Sequence, residues 1–149
     1  MADLPRTSGG PDRIVRAAWI ATAALVLTSA TAAVAPEVLG PVHAVLSLAM
    51  FAFGTGALLW GYARGISRSR SELVTLSGLF LLSGDVAPHQ IRTSLRVAAA
   101  VQTVAVTAAA AARPYSEVAF GILAPMLVLG LMAAWAGRHG AFPERPLKR

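Results

Sequence analysis

The chain has 149 residues, 56% of them apolar and only 13% charged, with a mean hydropathy of +0.62 that soluble domains rarely reach. Its net charge of +6 and pI near 11.3 raise nucleic acid as a partner; the basic residues instead flank apolar stretches, with no basic run interleaved with stacking aromatics, so nucleic acid is excluded. There is no cysteine, which removes disulfides, thiolate metal sites and dithiol redox chemistry.

Residues 1–13 form an amino-terminal segment with Arg6 and Arg13, and the first predicted transmembrane span is 14–35. No charge occurs from Ala17 to Pro36. About 20 apolar residues cross a hydrocarbon core of roughly 30 Å, so this run is long enough to span. It is long for a signal-peptide core, and Pro36 follows the small residues Ala33, Val34 and Ala35 where a cut would fall, a poor place for cleavage.

The second span, 41–62, lies between Glu37 and Arg64 and holds the one ionisable side chain expected inside the membrane, His43. Ser47 follows one turn later on the same face. The sequence favours a neutral imidazole hydrogen-bonded near the outer headgroups over a protonatable site. A haem would need two facing histidines; His89 and His139 belong to the opposite side, so no cofactor is expected.

Residues 63–92 form a basic loop. Within it, Leu73 to Gly84 is uncharged and Leu-rich, but twelve helical residues rise only about 18 Å and cannot span. Ser69 and Glu72 have capping-box spacing and Gly84 with Asp85 is a stop, which predicts a short interfacial helix at about 70–83. Asp85 to Gln90 reads as a turn. Asp85 and His89, four apart and next to Arg92, have the makings of a phosphate-handling group, but lack a second acid, a Gly-rich loop or a metal quartet.

The third span, 93–113, has just 16 uncharged residues between Arg96 and Arg113, nine of them Ala and none Leu. It should need its neighbours to insert and should pack inside the bundle. Gln102, Thr103 and Thr107 are read as one polar face that links helices. The fourth span, 118–137, carries Pro125, which frees a carbonyl one turn earlier and bends the helix. Residues 138–149 form the tail.

Twelve of the thirteen Lys and Arg residues fall in alternate gaps between the spans, and only Arg113 departs from the pattern. Lys and Arg are retained on the cytoplasmic side, so both termini should be cytoplasmic. Trp19, Trp60 with Tyr62, and Trp135 fall near the inner ends of their spans, as interfacial aromatics do. The predicted fold is all-α: a polytopic membrane protein of four transmembrane helices in two antiparallel hairpins. High Ala, Arg and Gly usage points to a bacterial plasma (inner) membrane. The halves share an outline, with Arg13 and Arg16 matching Arg92 and Arg96, Glu37-Val38 matching Glu117-Val118, and Trp60 matching Trp135. That outline suggests duplicated hairpins related about the membrane normal; the alternative is that any positive-inside, Ala-rich bundle acquires such matches. Small-xxx-small pairs, Gly61/Gly65, Ala52/Gly56, Gly130/Ala134 and Ala133/Gly137, allow helices to approach within the bundle or between copies.

Two hairpins joined by a basic loop resemble, in outline and without a shared motif, ATP synthase protein I, a small assembly-related membrane protein. The favoured function is a non-enzymatic structural, accessory or assembly element of a membrane complex, with a membrane-protein partner or a homo-oligomer. The alternatives are a small oligomeric transporter or channel and, third, a lipid-headgroup enzyme at the cytoplasmic face. No catalytic or metal residue is assigned. Arg64, Arg68, Arg70, Arg92 and Arg96 are the candidate contacts for anionic lipid or a partner, and His43 with Gln102 the candidate intramembrane polar site.

Overall fold

The structure, a computed structural model, describes residues 10–144. Its elements are α1 (Gly10–Val34), α2 (Pro36–Arg68), α3 (Leu76–Leu81), α4 (His89–Ala112), a 3-10 segment Glu117–Leu123, and α5 (Met126–His139). Four helical stretches, Arg13–Val34, Pro36–Arg68, His89–Ala112 and Glu117–His139, are long and apolar enough to cross a membrane.

The chain reverses between α1 and α2 on a single residue. Ala35 leaves helical geometry at φ −127° and ψ 70°, and Pro36 opens α2 at its first position, where a missing N–H costs nothing. Pro41 lies inside α2, which at 33 residues is about 50 Å long, carrying Arg64 and Arg68 past the apolar run.

The buried residues of α1, Ala18, Thr22, Leu25, Ser29 and Ala32, alternate spacings of four and three, the repeat that keeps one seam facing a neighbouring helix. That neighbour is α4, whose buried face is Leu95, Ala98, Gln102, Val106 and Ala109. The two run parallel: Trp19 Nε1 donates to Ser94 Oγ at 2.8 Å, Gln102 Nε2 to Thr22 Oγ1 at 2.9 Å, and Arg113 Nε to the Ala33 carbonyl at 3.2 Å.

The most extensive packing joins α2 to α5, again in parallel. Gly54 and Gly61 on α2 lie seven residues apart, as do Gly130 and Gly137 on α5. A Cβ on Gly130 would overlap the Gly54 carbonyl, and one on Gly137 would lie 2.9 Å from the Gly61 carbonyl oxygen. Backbone meets backbone at both levels, which only Gly permits. By contrast, nothing lies within 4 Å of a Cβ placed on Gly56, so the Ala52/Gly56 pair faces outward.

Each helix of the first half thus lies beside its counterpart in the second, α1 on α4 and α2 on α5. A two-fold axis along the membrane normal would place counterparts across the axis, not flank to flank in both pairs. The packing is that of two units set side by side, a correction to the rotational relation expected from the sequence.

The fourth stretch is not one continuous α-helix. Pro125 has no N–H for the Gly121 carbonyl, which instead accepts from Ala124 N at 2.9 Å, a 3-10 pattern. Glu117–Leu123 is accordingly a 3-10 segment, and the α-helix resumes at Met126.

Two local expectations change. Ser69 caps the carboxy-terminal end of α2, and the short helix starts at Leu76, with Thr75 Oγ1 accepting from Gly78 N at 3.1 Å. The capping-box spacing of Ser69 and Glu72 is therefore coincidental; Glu72 instead pairs with Arg68 at 2.8 Å. Leu79 and Leu82 of this region are buried in a core with Leu95, Val128, Met132 and Trp135, and Gly65 makes room for Leu79. On α4, Gln102 is fully buried while Thr103 and Thr107 are exposed, so the three do not share a face. Nor does α4 sit inside the bundle: Val97, Val101 and Val104 are exposed, and the fourth stretch is the most buried of the four.

Candidate functional site

Three polar regions could carry function: the arginines, a cleft at the Arg-rich end, and the interior around His43 and Gln102. The arginines act first on the protein's own backbone. Helix ends leave carbonyls without partners, and guanidinium groups reach them. Arg68 donates to Ala136 O at 3.3 Å and Gly140 O at 2.7 Å at the end of α5; Arg96 Nε donates to Leu81 O at 2.9 Å at the end of α3; Arg92 donates to Gly84 O. Arg113, the exception to the charge pattern, does the same for Ala33 at the end of α1. Arg64 lies over the Trp60 ring at 5.1 Å, and Arg70 is exposed. Of the five candidate contacts, then, Arg68, Arg92 and Arg96 tie the loop to the bundle and Arg64 and Arg70 face outward.

The carboxy-terminal stretch completes this end. Leu73 N donates to Pro143 O at 2.8 Å and Ala141 N to Val86 O at 3.0 Å, so the stretches on either side of α3 are both tied to the chain after α5. Between them a cleft of about 730 Å³ opens, lined by Asp85, His89, Arg92, Trp135 and His139. The sequence brings Asp85, His89 and Arg92 together by local spacing. It gives no sign that the end of α5 completes the group, because that contact spans more than forty residues.

His43 lies fully buried within the protein: its Nδ1 is 3.2 Å from Thr28 Oγ1, and its Nε2 has no partner. The 3-10 segment covers it. A Cβ on Gly121 would lie 2.6 Å from His43 Nε2 and 3.3 Å from Val106 Cγ1, so Gly121 is the residue that admits the imidazole, and the sequence did not single it out. Ser47 Oγ donates to the His43 carbonyl at 2.8 Å. Gln102 is not part of this group; it bonds Thr22, leaving its Oε1 unpartnered. No group of three or more metal-ligating side chains exists among the described residues.

No known protein family matches the chain, and no curated protein or solved structure does. The functional reading therefore rests on the residues themselves.

Proposed function

We propose that this protein is a non-enzymatic accessory or assembly element that packs against a larger membrane complex through the outward face of α4. One observation carries the reading. That face consists of Ala100, Thr103, Val104, Thr107, Ala108 and Ala111, all exposed, and offers no side chain longer than valine. The outward face of α2 presents Val42, Val45, Leu48, Phe51, Phe53 and Leu59, the bulk expected against acyl chains. Small residues and hydroxyls on a membrane helix favour close protein contact. In this reading the four helices form two antiparallel hairpins in the plasma membrane of a bacterium. Both termini are cytoplasmic, and α3 lies at the cytoplasmic interface.

A photo-crosslinking amino acid at Val104 should capture one protein partner in stoichiometric amount, while the same group at Phe53 should capture lipid. Capture of lipid alone from both positions overturns the proposal. A transporter or channel is the second reading, supported by the buried, unpartnered Ser29 Oγ, His43 Nε2 and Gln102 Oε1, polar atoms that a pathway through the bundle would use.

A further inference from the structure

We propose that residues 140–144 are a releasable latch: the Phe142 ring, seated between Arg68 and Gly78, holds α3 against the bundle, and its release undocks α3 while the four long helical stretches stay packed. This device goes beyond the assembly role and stands independently of it.

Six residues are too few for a helix that is stable in isolation, so α3 depends on what holds it. Leu79, only 1% exposed, fills the space that Gly65 of α2 leaves open. Phe142 reaches the adjacent residue from the chain after α5: a Cβ on Gly78 would lie 3.2 Å from its ring. The Arg68 guanidinium lies over the same ring, 5.2 Å from its centroid. Arg68 also donates to Gly140 O at 2.7 Å and pairs with Glu72 at 2.8 Å, so one side chain at the end of α2 gathers the latch and the residues leading into α3. Backbone bonds from Leu73 N to Pro143 O and from Ala141 N to Val86 O tie the latch to the chain before and after α3.

The latch is weaker than the seam it adjoins. Between α2 and α5, backbone meets backbone at Gly54, Gly61, Gly130 and Gly137. In the latch, a half-buried Phe142 is flanked by exposed Ala141 and Pro143, and Pro143 has no N–H with which to return the bond it accepts from Leu73. Glu72 and Glu144 stand opposite each other in a single antiparallel bridge, where like charges repel; Arg68, paired with Glu72, offsets that repulsion. A segment with exposed backbone bonds and little buried surface opens at a lower free energy than the whole fold. Leu79 and Leu82, both buried in the closed form, become reachable when α3 leaves.

The chain has no native cysteine, so cysteines introduced singly report opening. Leu79→Cys follows α3; Ala124→Cys, fully buried among Leu25, Met50 and Val106, follows the bundle. Each is placed in the full chain in a maltoside detergent, and its reaction with a maleimide is timed at limiting reagent, where the rate tracks the open population. Phe142→Ala should speed labelling of Leu79→Cys about 10-fold, as loss of a half-buried ring and its guanidinium contact predicts. Arg68→Gln should act in the same direction. Glu144→Lys, which sets opposite charges across the bridge, should slow labelling about threefold. Labelling of Ala124→Cys should stay within about twofold throughout. Unchanged labelling of Leu79→Cys in the Phe142→Ala chain overturns the proposal, and so does faster labelling in Glu144→Lys. A parallel rise at Ala124→Cys also overturns it, because the segment would then be one more part of a bundle that opens as a whole.

Discussion

Adding one methyl group to Gly54 tests the central packing of the bundle, because an identical change two residues away, at Gly56, meets nothing. A Cβ on Gly54 would lie 2.5 Å from Leu127 N and closer still to the Met126 carbonyl, whereas one on Gly56 has nothing within 4 Å. Ordinary contact begins at roughly 3.5 Å, so α2 and α5 must separate by about 1 Å to accept Gly54→Ala. The obstacle is backbone, and no rotamer change relieves it. Overpacking of this kind costs about 1–3 kcal/mol, and a value near the upper end is expected because Gly61 shares the same seam. Gly→Ala in a helix regains up to about 1 kcal/mol of propensity, leaving Gly54→Ala net destabilised by about 2 kcal/mol and Gly56→Ala neutral or slightly stabilised. Reversible unfolding in mixed micelles titrated with sodium dodecyl sulfate, followed by circular dichroism, measures both variants. If they unfold within about 0.5 kcal/mol of each other, the parallel Gly–Gly contact between α2 and α5 is wrong.

His43→Ala should leave function per molecule intact in a complemented deletion strain while membrane abundance falls, since the Thr28 hydrogen bond is worth only about 0.6 kcal/mol in a membrane interior but the fully buried ring leaves a cavity costing about 2–4 kcal/mol. Loss of function at normal abundance would instead favour the transport reading. Cysteines placed singly at Leu39, Ser67 and Ser116 should react with an impermeant thiol reagent in intact cells at Leu39 and Ser116 only; labelling at Ser67 would refute the cytoplasmic placement of the basic loop.

Hydropathy is a local sum, so the existence of four membrane-length helices was legible from uncharged runs bounded by arginine, without knowledge of any neighbour. The third of these illustrates the limit of that sum. Its uncharged run is short, yet α4 begins eight residues before it, at His89, and Arg96 turns its guanidinium to the Leu81 carbonyl. Local spacing also misled where two patterns competed: Ser69 and Glu72 match a capping box, but α2 continues through Arg68 and the short helix takes Thr75 as its cap.

The candidate sites divide in the same way. Asp85, His89 and Arg92 were visible together because they lie within eight residues of chain; Trp135 and His139 join them only when α5 returns to the start of α4. His43 was recognisable as the lone ionisable residue of the spans, but Gly121, which admits its ring, became meaningful only through contact.

Sequence alone determined that four stretches are long and apolar enough to cross a membrane and which gaps carry the positive charge, since both follow from the transfer of individual residues between water and lipid. Tertiary structure alone decided that α1 pairs with α4 and α2 with α5, that Gly54 faces a backbone while Gly56 faces outward, and that the arginines cap distant carbonyls. Inside a bilayer, helix association depends on close packing and on satisfying polar groups rather than on hydrophobicity, and neither is a property of one segment until its neighbour is in place.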